Sequence, residues 1–180
     1  MSIRKRPAIL SFAIGVLLAV AGLGPASALA DGRSHHAESS WTMYNYDPTG
    51  SRYNAAEHAL GPRNVGRLGV LWRVPTAGSV FGTPTVSDGV VYAGDESGVV
   101  HAVRTDGTPL WSTQVDGPLT DSILLMRDTL IFGDLNGNIY GLNPRNGEIR
   151  WRIRPNPHPI AAMYGSATPC GQVLRDRHHD

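Results

Sequence analysis

Three tryptophans recur at an almost constant interval, and this repeat constrains the fold more than any other feature of the 180-residue chain. Trp72, Trp111 and Trp151 are separated by 39 and 40 residues. The stretches between them repeat as well, because residues 90–103 align with residues 129–142. A repeat of this length predicts a chain built from similar supersecondary units, each stacked on its neighbour.

Each repeat predicts a meander of four short strands, because apolar and β-branched runs alternate with turn residues. Asp-Gly and Asn-Gly pairs in the turns supply the positive φ angles that tight hairpins need. We expect strands near residues 80–86, 90–94, 99–103 and 109–115 in the first repeat, and near 122–126, 129–133, 138–142 and 148–153 in the second. A four-stranded unit of about 40 residues is one blade of a β-propeller.

The composition agrees with an all-β globular chain and argues against other classes. Its 21 glycines and 13 prolines are typical of a fold with many short turns. The formal net charge of +1 gives no electrostatic basis for binding nucleic acid. The single cysteine, Cys170, excludes an intrachain disulfide, a zinc ribbon and a CxxCH haem attachment, and we interpret it as a partly buried free thiol.

Residues 1–30 have the pattern of a secretory signal peptide. A basic cluster at residues 4–6 precedes an apolar run over 8–23, and Ala28-Leu29-Ala30 offers a small-x-small cleavage site. We therefore expect cleavage before Asp31, export to the periplasm or the extracellular space, and no transmembrane span in the mature chain. The alternative is an uncleaved anchor, but the apolar run is shorter than the roughly 20 residues of a spanning helix.

Two stretches of the chain resemble a known family. Residues 137–151, Gly-Asn-Ile-Tyr-Gly-Leu-Asn-Pro-Arg-Asn-Gly-Glu-Ile-Arg-Trp, are similar to the G-x-φ-Y-A-L-D-x-x-T-G-x-φ-x-W repeat of pyrroloquinoline quinone (PQQ) dehydrogenases. Residues 41–53 resemble the W-x-x-Y-x-x-D-x-x-x-x-R-Y opening of those enzymes, and residues 64–68 and Trp72 follow in the same order. The chain thus resembles the PQQ-dependent (quinoprotein) alcohol dehydrogenase-like β-propellers, and its nearest branch is the polyvinyl-alcohol dehydrogenase-like one.

This resemblance implies a propeller of about eight blades, of which the chain holds two full blades and parts of two others. Residues 31–68 correspond to the family's opening segment, residues 69–169 to a partial set of repeats, and residues 170–180 to a tail outside the family pattern. A strand around residues 70–74 would join the last blade, and a third blade would begin at 161–169. We therefore predict an all-β, incomplete quinoprotein-type β-propeller encoded by a truncated gene or a gene fragment.

In the family the recurring tryptophans are structural, and the resemblance assigns Trp72, Trp111 and Trp151 to packing between neighbouring blades. PQQ and a Ca²⁺ ion are the family's cofactors, and side chains from many blades hold them. Phe81 stands where methanol-dehydrogenase-like members have a glutamate that touches the quinone, and a lone Cys170 excludes their vicinal cysteine pair. The sequence therefore offers no catalytic or metal-binding residue and leaves any cofactor-binding residue unknown.

Other polar residues have ordinary structural interpretations. Asp95-Glu96 and Asp134 lie in predicted hairpin turns, where carboxylates accept hydrogen bonds from backbone N–H groups. Two histidine pairs, at residues 35–36 and 178–179, lie in polar terminal segments where solvated side chains are the rule. Two further residues are expected to anchor the opening segment by hydrogen bonds, Asp47 and Arg52.

Two functions follow from the pattern. The first is the N-terminal fragment of an exported PQQ-dependent alcohol dehydrogenase, an enzyme that oxidises an alcohol with PQQ as electron acceptor. We expect the isolated chain to be inactive, since an alcohol would bind only if the missing blades completed the propeller. The alternative is a non-catalytic PQQ-repeat module for protein binding or outer-membrane assembly. In both cases open blade edges predict self-association.

Overall fold

Eight β-strands form two four-stranded antiparallel sheets in a computed structural model that describes residues 40–170. The first sheet contains β1 (Thr85–Ser87), β2 (Val90–Gly94), β3 (Val99–Arg104) and β4 (Pro109–Gln114). The second contains β5 (Leu124–Met126), β6 (Thr129–Gly133), β7 (Ile139–Leu142) and β8 (Ile149–Ile153). A 3-10 helix over Val65–Arg67 is the only helix within residues 40–170. The prediction of an all-β chain with two four-stranded units is confirmed.

Both sheets are meanders in which each strand pairs with the next along the chain. They also share an irregularity, because the register shifts between Ala102 and Val103 in the first sheet and between Gly141 and Leu142 in the second. These two positions differ by the repeat length of 39 residues. The two sheets are therefore copies of one blade in detail as well as in outline.

The first strand of each blade is shorter than the sequence predicts, since residues 80–84 are not part of β1. Pro84 has no N–H group to give to a ladder. The Thr83 N–H donates to Ser122 Oγ at 2.8 Å, and the Thr85 hydroxyl donates to the Ile123 carbonyl. Polar groups at the start of the first blade thus bond to the second blade instead of extending β1.

The sequence predicts a strand of the last blade at residues 70–74 and the start of a third blade at 161–169, but neither segment forms a strand. An extended segment becomes a strand only when a neighbouring strand pairs with its backbone, and within residues 40–170 no strand lies beside either segment, although the Met163 N–H donates to the Asp134 carbonyl at 3.1 Å. Met163 nonetheless has the side-chain environment of a blade residue. Met163 packs over Gly133 as Leu119 packs over the equivalent Gly94.

The main hydrophobic core lies between the two blades. Phe132 and Tyr140 stack with ring centroids 5.5 Å apart, and both are buried. Full burial of one such side chain stabilises a fold by roughly 1.5–3 kcal/mol, so the core that these residues form with residues of the first blade contributes to the stability of both blades. The other buried members of the core are Tyr92, Val100, Ala102, Val115, Leu119, Ile123, Leu130 and Leu142.

The opening segment runs between the first strands of the two blades. Trp41 and Val86 exchange two backbone hydrogen bonds of 2.7 and 2.8 Å, and the Leu125 N–H donates to the Thr42 carbonyl at 2.8 Å. Met43 is buried in a second apolar cluster with two residues of the second blade, Leu124 and Ile131. The segment therefore belongs to the same folded unit as the blades.

Several sequence predictions concern residues outside the described range. These are the signal peptide over residues 1–30, its cleavage before Asp31, the histidine pairs, and the tail beyond Cys170. Cys170 itself is exposed, whereas we expected partial burial, because no strand forms between Ile153 and Cys170 that could cover it. Within residues 40–170 no helix is long and apolar enough to cross a membrane.

Candidate functional site

Two of the three recurring tryptophans contact the following blade in the same way. The Trp72 indole N–H donates to the Thr105 carbonyl at 2.8 Å, and the Trp111 indole N–H donates to the Pro144 carbonyl at 3.0 Å. Each bond spans 33 residues. In both cases the acceptor lies in the turn before the outermost strand of a blade. This geometry is what blade docking requires, and docking remains the predicted role of these residues.

A glycine in the same turn makes room for each indole. Gly107 and Gly147 have φ angles of +92° and +74°, in the left-handed region that favours glycine. A β-carbon on Gly107 would lie 2.7 Å from Trp72 Cγ, and one on Gly147 would lie 2.5 Å from Trp111 Cε3. Each turn therefore requires its glycine for two reasons: the positive φ angle, and the space that the indole ring occupies.

Trp151 has no such turn to contact among residues 40–170. It lies on β8 opposite Gly141 and is 36% exposed. Its indole covers Gly141, where a β-carbon would overlap the ring. The structure thus brings Trp72 and Trp111 into equivalent contacts with a following blade and leaves Trp151 at the open side of the second blade.

The hairpin turn between β2 and β3 is organised by the buried carboxylate of Asp95. It accepts hydrogen bonds from the Ser97 N–H at 2.9 Å and the Val99 N–H at 3.2 Å, and His101 Nε2 lies 2.9 Å from Asp95 Oδ2. Burial alone would raise the pKa of Asp95. The bonds from Ser97, His101 and Val99 outweigh burial and hold this pKa at about 2.

Asp134 fills the same position between β6 and β7. Its carboxylate accepts the Asn138 N–H at 2.8 Å and the Tyr140 hydroxyl at 3.0 Å. Burial, together with the bond to Asp134, raises the pKa of Tyr140 to about 12. Both aspartates are therefore occupied by donors of their own hairpin, as the turn interpretation expects.

The polar residues of the opening segment bond to one another. The Asp47 carboxylate accepts hydrogen bonds from the backbone N–H groups and the hydroxyls of Thr49 and Ser51. The bond from the Ser51 hydroxyl contributes most to lowering its pKa to about 2. Arg52 Nε donates to Asn45 Oδ1 at 2.9 Å. These bonds fold the segment locally, in agreement with the anchoring role expected for Asp47 and Arg52.

The segments that precede β1 and β5 include Phe81, the position at which the family resemblance places a contact with the quinone. Phe81 is 66% exposed, and Gly82 packs on the backbone of Asp121. Asp121 Oδ2 is buried without a hydrogen-bond partner in the described range, and burial raises the pKa of this carboxyl. Sequence reasoning did not single out Asp121, although the repeat aligns it with Gly82.

Calcium takes about six to eight oxygen ligands, and a single carboxylate does not supply them. Across residues 40–170 no three His, Cys, Asp or Glu side chains come close enough together to hold a metal ion. One carboxylate and an exposed phenyl ring do not fit a site for PQQ and Ca²⁺. No chemical step is therefore assigned to these residues.

The sequence reasoning also missed a longer connection after the second blade. Leu119 and Gly94, which pack together, are 25 residues apart, whereas Met163 and Gly133 are 30 apart. Four of these five extra residues lie after Trp151, because Trp111 and Leu119 are 8 residues apart whereas Trp151 and Met163 are 12 apart. A signal for this was present, since Leu-x-x-Ser at 119–122 recurs as Met-x-x-Ser at 163–166, 44 residues later instead of 39.

Comparison with known proteins gives a family match and several relatives. The PQQ_2 family model, described as outer membrane protein assembly factor BamB, matches residues 69–164. The 1-butanol dehydrogenase (cytochrome c) of Thauera butanivorans is 26% identical over 162 residues, which cover 82% of this chain and 23% of that protein. The outer membrane protein assembly factor BamB of Yersinia pestis is 29% identical over 89 residues, 49% of this chain and 22% of that protein.

Among solved structures, a quinohemoprotein alcohol dehydrogenase from Pseudomonas putida HK5 is similar in fold. It superposes with a TM-score of 0.61 at 20% sequence identity, over 69% of this chain and 20% of that chain. The chain thus spans about a fifth to a quarter of the length of the proteins it matches. The likeness places the two sheets among β-propeller blades.

Proposed function

Since the chain belongs to the PQQ_2 family of repeat propellers, which matches more than half of it, we propose that it forms the N-terminal part of an exported PQQ-dependent alcohol dehydrogenase. On this proposal it contributes the opening segment and the first two blades. The quinone, the calcium ion and the alcohol would bind only where further blades complete the ring. The isolated chain then has no turnover.

The extent of the alignments supports this proposal. The match to the 1-butanol dehydrogenase covers 162 residues, so it reaches well outside the repeats at 69–164. The match to the Yersinia BamB covers 89 residues, which the repeats alone can account for. The propeller repeat occurs in the dehydrogenases and in BamB, so it does not distinguish them. Sequence similarity outside the repeats is found with the dehydrogenase and therefore favours the dehydrogenase proposal.

An activity assay tests the proposed inactivity of the chain alone. The purified chain is mixed with PQQ, Ca²⁺, 1-butanol and an artificial electron acceptor, and a complete quinoprotein alcohol dehydrogenase serves as the positive control. We expect reduction of the acceptor by the control only, because residues 40–170 bring together no three side chains that could hold a calcium ion. Turnover by the chain would contradict the proposal.

The DNA immediately downstream tests the proposed origin of the chain. Further tryptophan-ended repeats in the same or another reading frame would support an enzyme divided by truncation. A downstream sequence without any such repeat would contradict it.

A second candidate is a non-catalytic module for protein binding or outer-membrane assembly. The description of the family model and the likeness to the Yersinia protein favour it. It predicts that deleting the gene lowers the amounts of outer-membrane proteins. The dehydrogenase proposal predicts no such change.

A further inference from the structure

The outermost strand of the second blade presents a free edge. β8 pairs with β7 on one side, and no strand within residues 40–170 pairs with its other side. All five residues of Ile149–Ile153 are exposed. A strand edge of this kind carries unpaired N–H and C=O groups and is a template for pairing with another chain.

The equivalent edge of the first blade is protected. β4 begins with Pro109, which pairs with Val103, whereas β8 begins with Ile149, which pairs with the equivalent Leu142. Proline has no N–H group and blunts an edge strand. The outermost strands of the two blades therefore differ at this position. β4 has a proline that hinders pairing with another strand, and β8 has an isoleucine that does not.

The sequence across β8 is complementary to itself. Residues 148–154 read Glu-Ile-Arg-Trp-Arg-Ile-Arg. In an antiparallel pair centred on Trp151, each Ile149 lies opposite the other copy's Ile153, and each Glu148 lies opposite the other copy's Arg154. Apolar cross-strand pairs and opposite-charge pairs each stabilise a sheet, so this register has four favourable pairs and a tryptophan pair at its centre.

The same register places Arg150 opposite Arg152 of the other copy, and the structure neutralises both charges. Arg150 Nη1 lies 3.0 Å from Asp128 Oδ2, and Arg152 forms an ion pair with Asp116. Since each guanidinium already has its own carboxylate, the arginines meet as two neutral pairs. The repulsion that usually protects an edge strand is therefore weakened.

We propose that β8 pairs with β8 of a second copy of this chain, antiparallel and about a two-fold axis through Trp151. The two four-stranded blades then form one continuous eight-stranded sheet. The contact is isologous, so it closes at the dimer. It uses the rim of the blade and does not depend on the proposed enzymatic origin.

Light scattering during size-exclusion chromatography of the full chain tests the dimer. Ile149→Pro copies into β8 the proline that the first blade carries at this position, so the blade should fold. We expect a dimer for the unchanged chain and at least tenfold weaker dimerisation for Ile149→Pro. Ile160→Ala, an 83% exposed apolar residue outside β8, is the control and should leave the dimer unchanged.

Cross-linking tests the register independently of that variant. In a Cys170→Ser background, Trp151→Cys places one cysteine of each copy at the two-fold axis, where directly opposed Cα atoms are within disulfide range. Ser112→Cys, exposed on β4, is the matched control. We expect a disulfide-linked dimer for Trp151→Cys alone. A monomeric chain, a dimer that Ile149→Pro does not weaken, or equal cross-linking at position 112 would overturn the proposal.

Discussion

At the residue scale, the position of each docked indole depends on a glycine in the next hairpin. Trp72 packs on Gly107 and Trp111 packs on Gly147, and each indole also bonds to a carbonyl of the same turn. The sequence shows all four residues, because they recur with the repeat. It does not show that each glycine is in contact with a tryptophan of the preceding repeat, since that contact joins residues more than 30 positions apart.

Replacing Gly147 with alanine should destabilise the chain by about 2 kcal/mol or more. The φ of +74° is strained for alanine, and the new β-carbon would lie 2.5 Å from Trp111 Cε3. Gly66→Ala, where a β-carbon meets nothing within 4 Å, is the control. Urea unfolding monitored by tryptophan fluorescence measures both. Equal stability of the two variants would show that the indole does not rest on this turn.

The carboxylate of Asp95 predicts a dependence of stability on pH. Its pKa of about 2 is below the ordinary value of 3.8, so its contribution is complete above pH 4 and is lost as the pH falls towards 2. Asp95→Asn should reduce the fall in unfolding free energy over this range. Denaturant titrations at pH 2, 3, 4 and 7 measure it, and an unchanged fall would contradict the prediction.

The pKa of Asp121 is shifted in the direction opposite to that of Asp95. Burial raises the pKa of its carboxyl, so its ionisation in the folded chain costs stability at neutral pH. Asp121→Asn should therefore raise the unfolding free energy at pH 7, whereas Asp95→Asn should lower it. A fall at pH 7 for both variants would show that Asp121 has a partner in the folded chain.

At the scale of strands and turns, the repeat predicted most of the structure. The strands at 90–94 and 129–133 have the predicted bounds, because both of their edges are paired within a complete blade. The first strand of the first blade was predicted to be longer than it is, because polar groups at residues 80–84 bond to the next blade. No strand forms at 70–74, since pairing depends on a neighbour that local sequence does not specify. Asp121, the one unpartnered carboxylate of the candidate site, was missed because burial depends on that same neighbour.

The opening segment should contribute to the stability of the blades. Met43 is 4% exposed and packs on Leu124 and Ile131 of the second blade. Met43→Ala should lower the unfolding free energy by about 2 kcal/mol or more, because it leaves a cavity between two elements. Tyr44→Ala, at a 43% exposed position, should change it by less than about half as much. Equal effects would show that the segment is not part of the folded unit.

At the scale of the whole molecule, residues 40–170 form an opening segment and two blades of a β-propeller. It matches a fifth to a quarter of the length of its relatives. The tryptophan repeat identifies the fold, because it records the packing of one blade on the next. It does not identify a working site, since a quinone site draws on side chains from many blades. Within residues 40–170, the segments that precede β1 and β5 contribute Phe81 and Asp121.

The central claim is that residues 40–170 form two blades of a quinoprotein-type propeller and that these two blades alone do not bind the quinone. Calorimetric titration of the purified chain with PQQ in the presence of Ca²⁺ tests it most directly, with a complete quinoprotein dehydrogenase lacking its cofactor as the control. The account predicts saturable binding by the control and none by the chain. Saturable binding of one PQQ per chain that Asp121→Ala abolishes would contradict it.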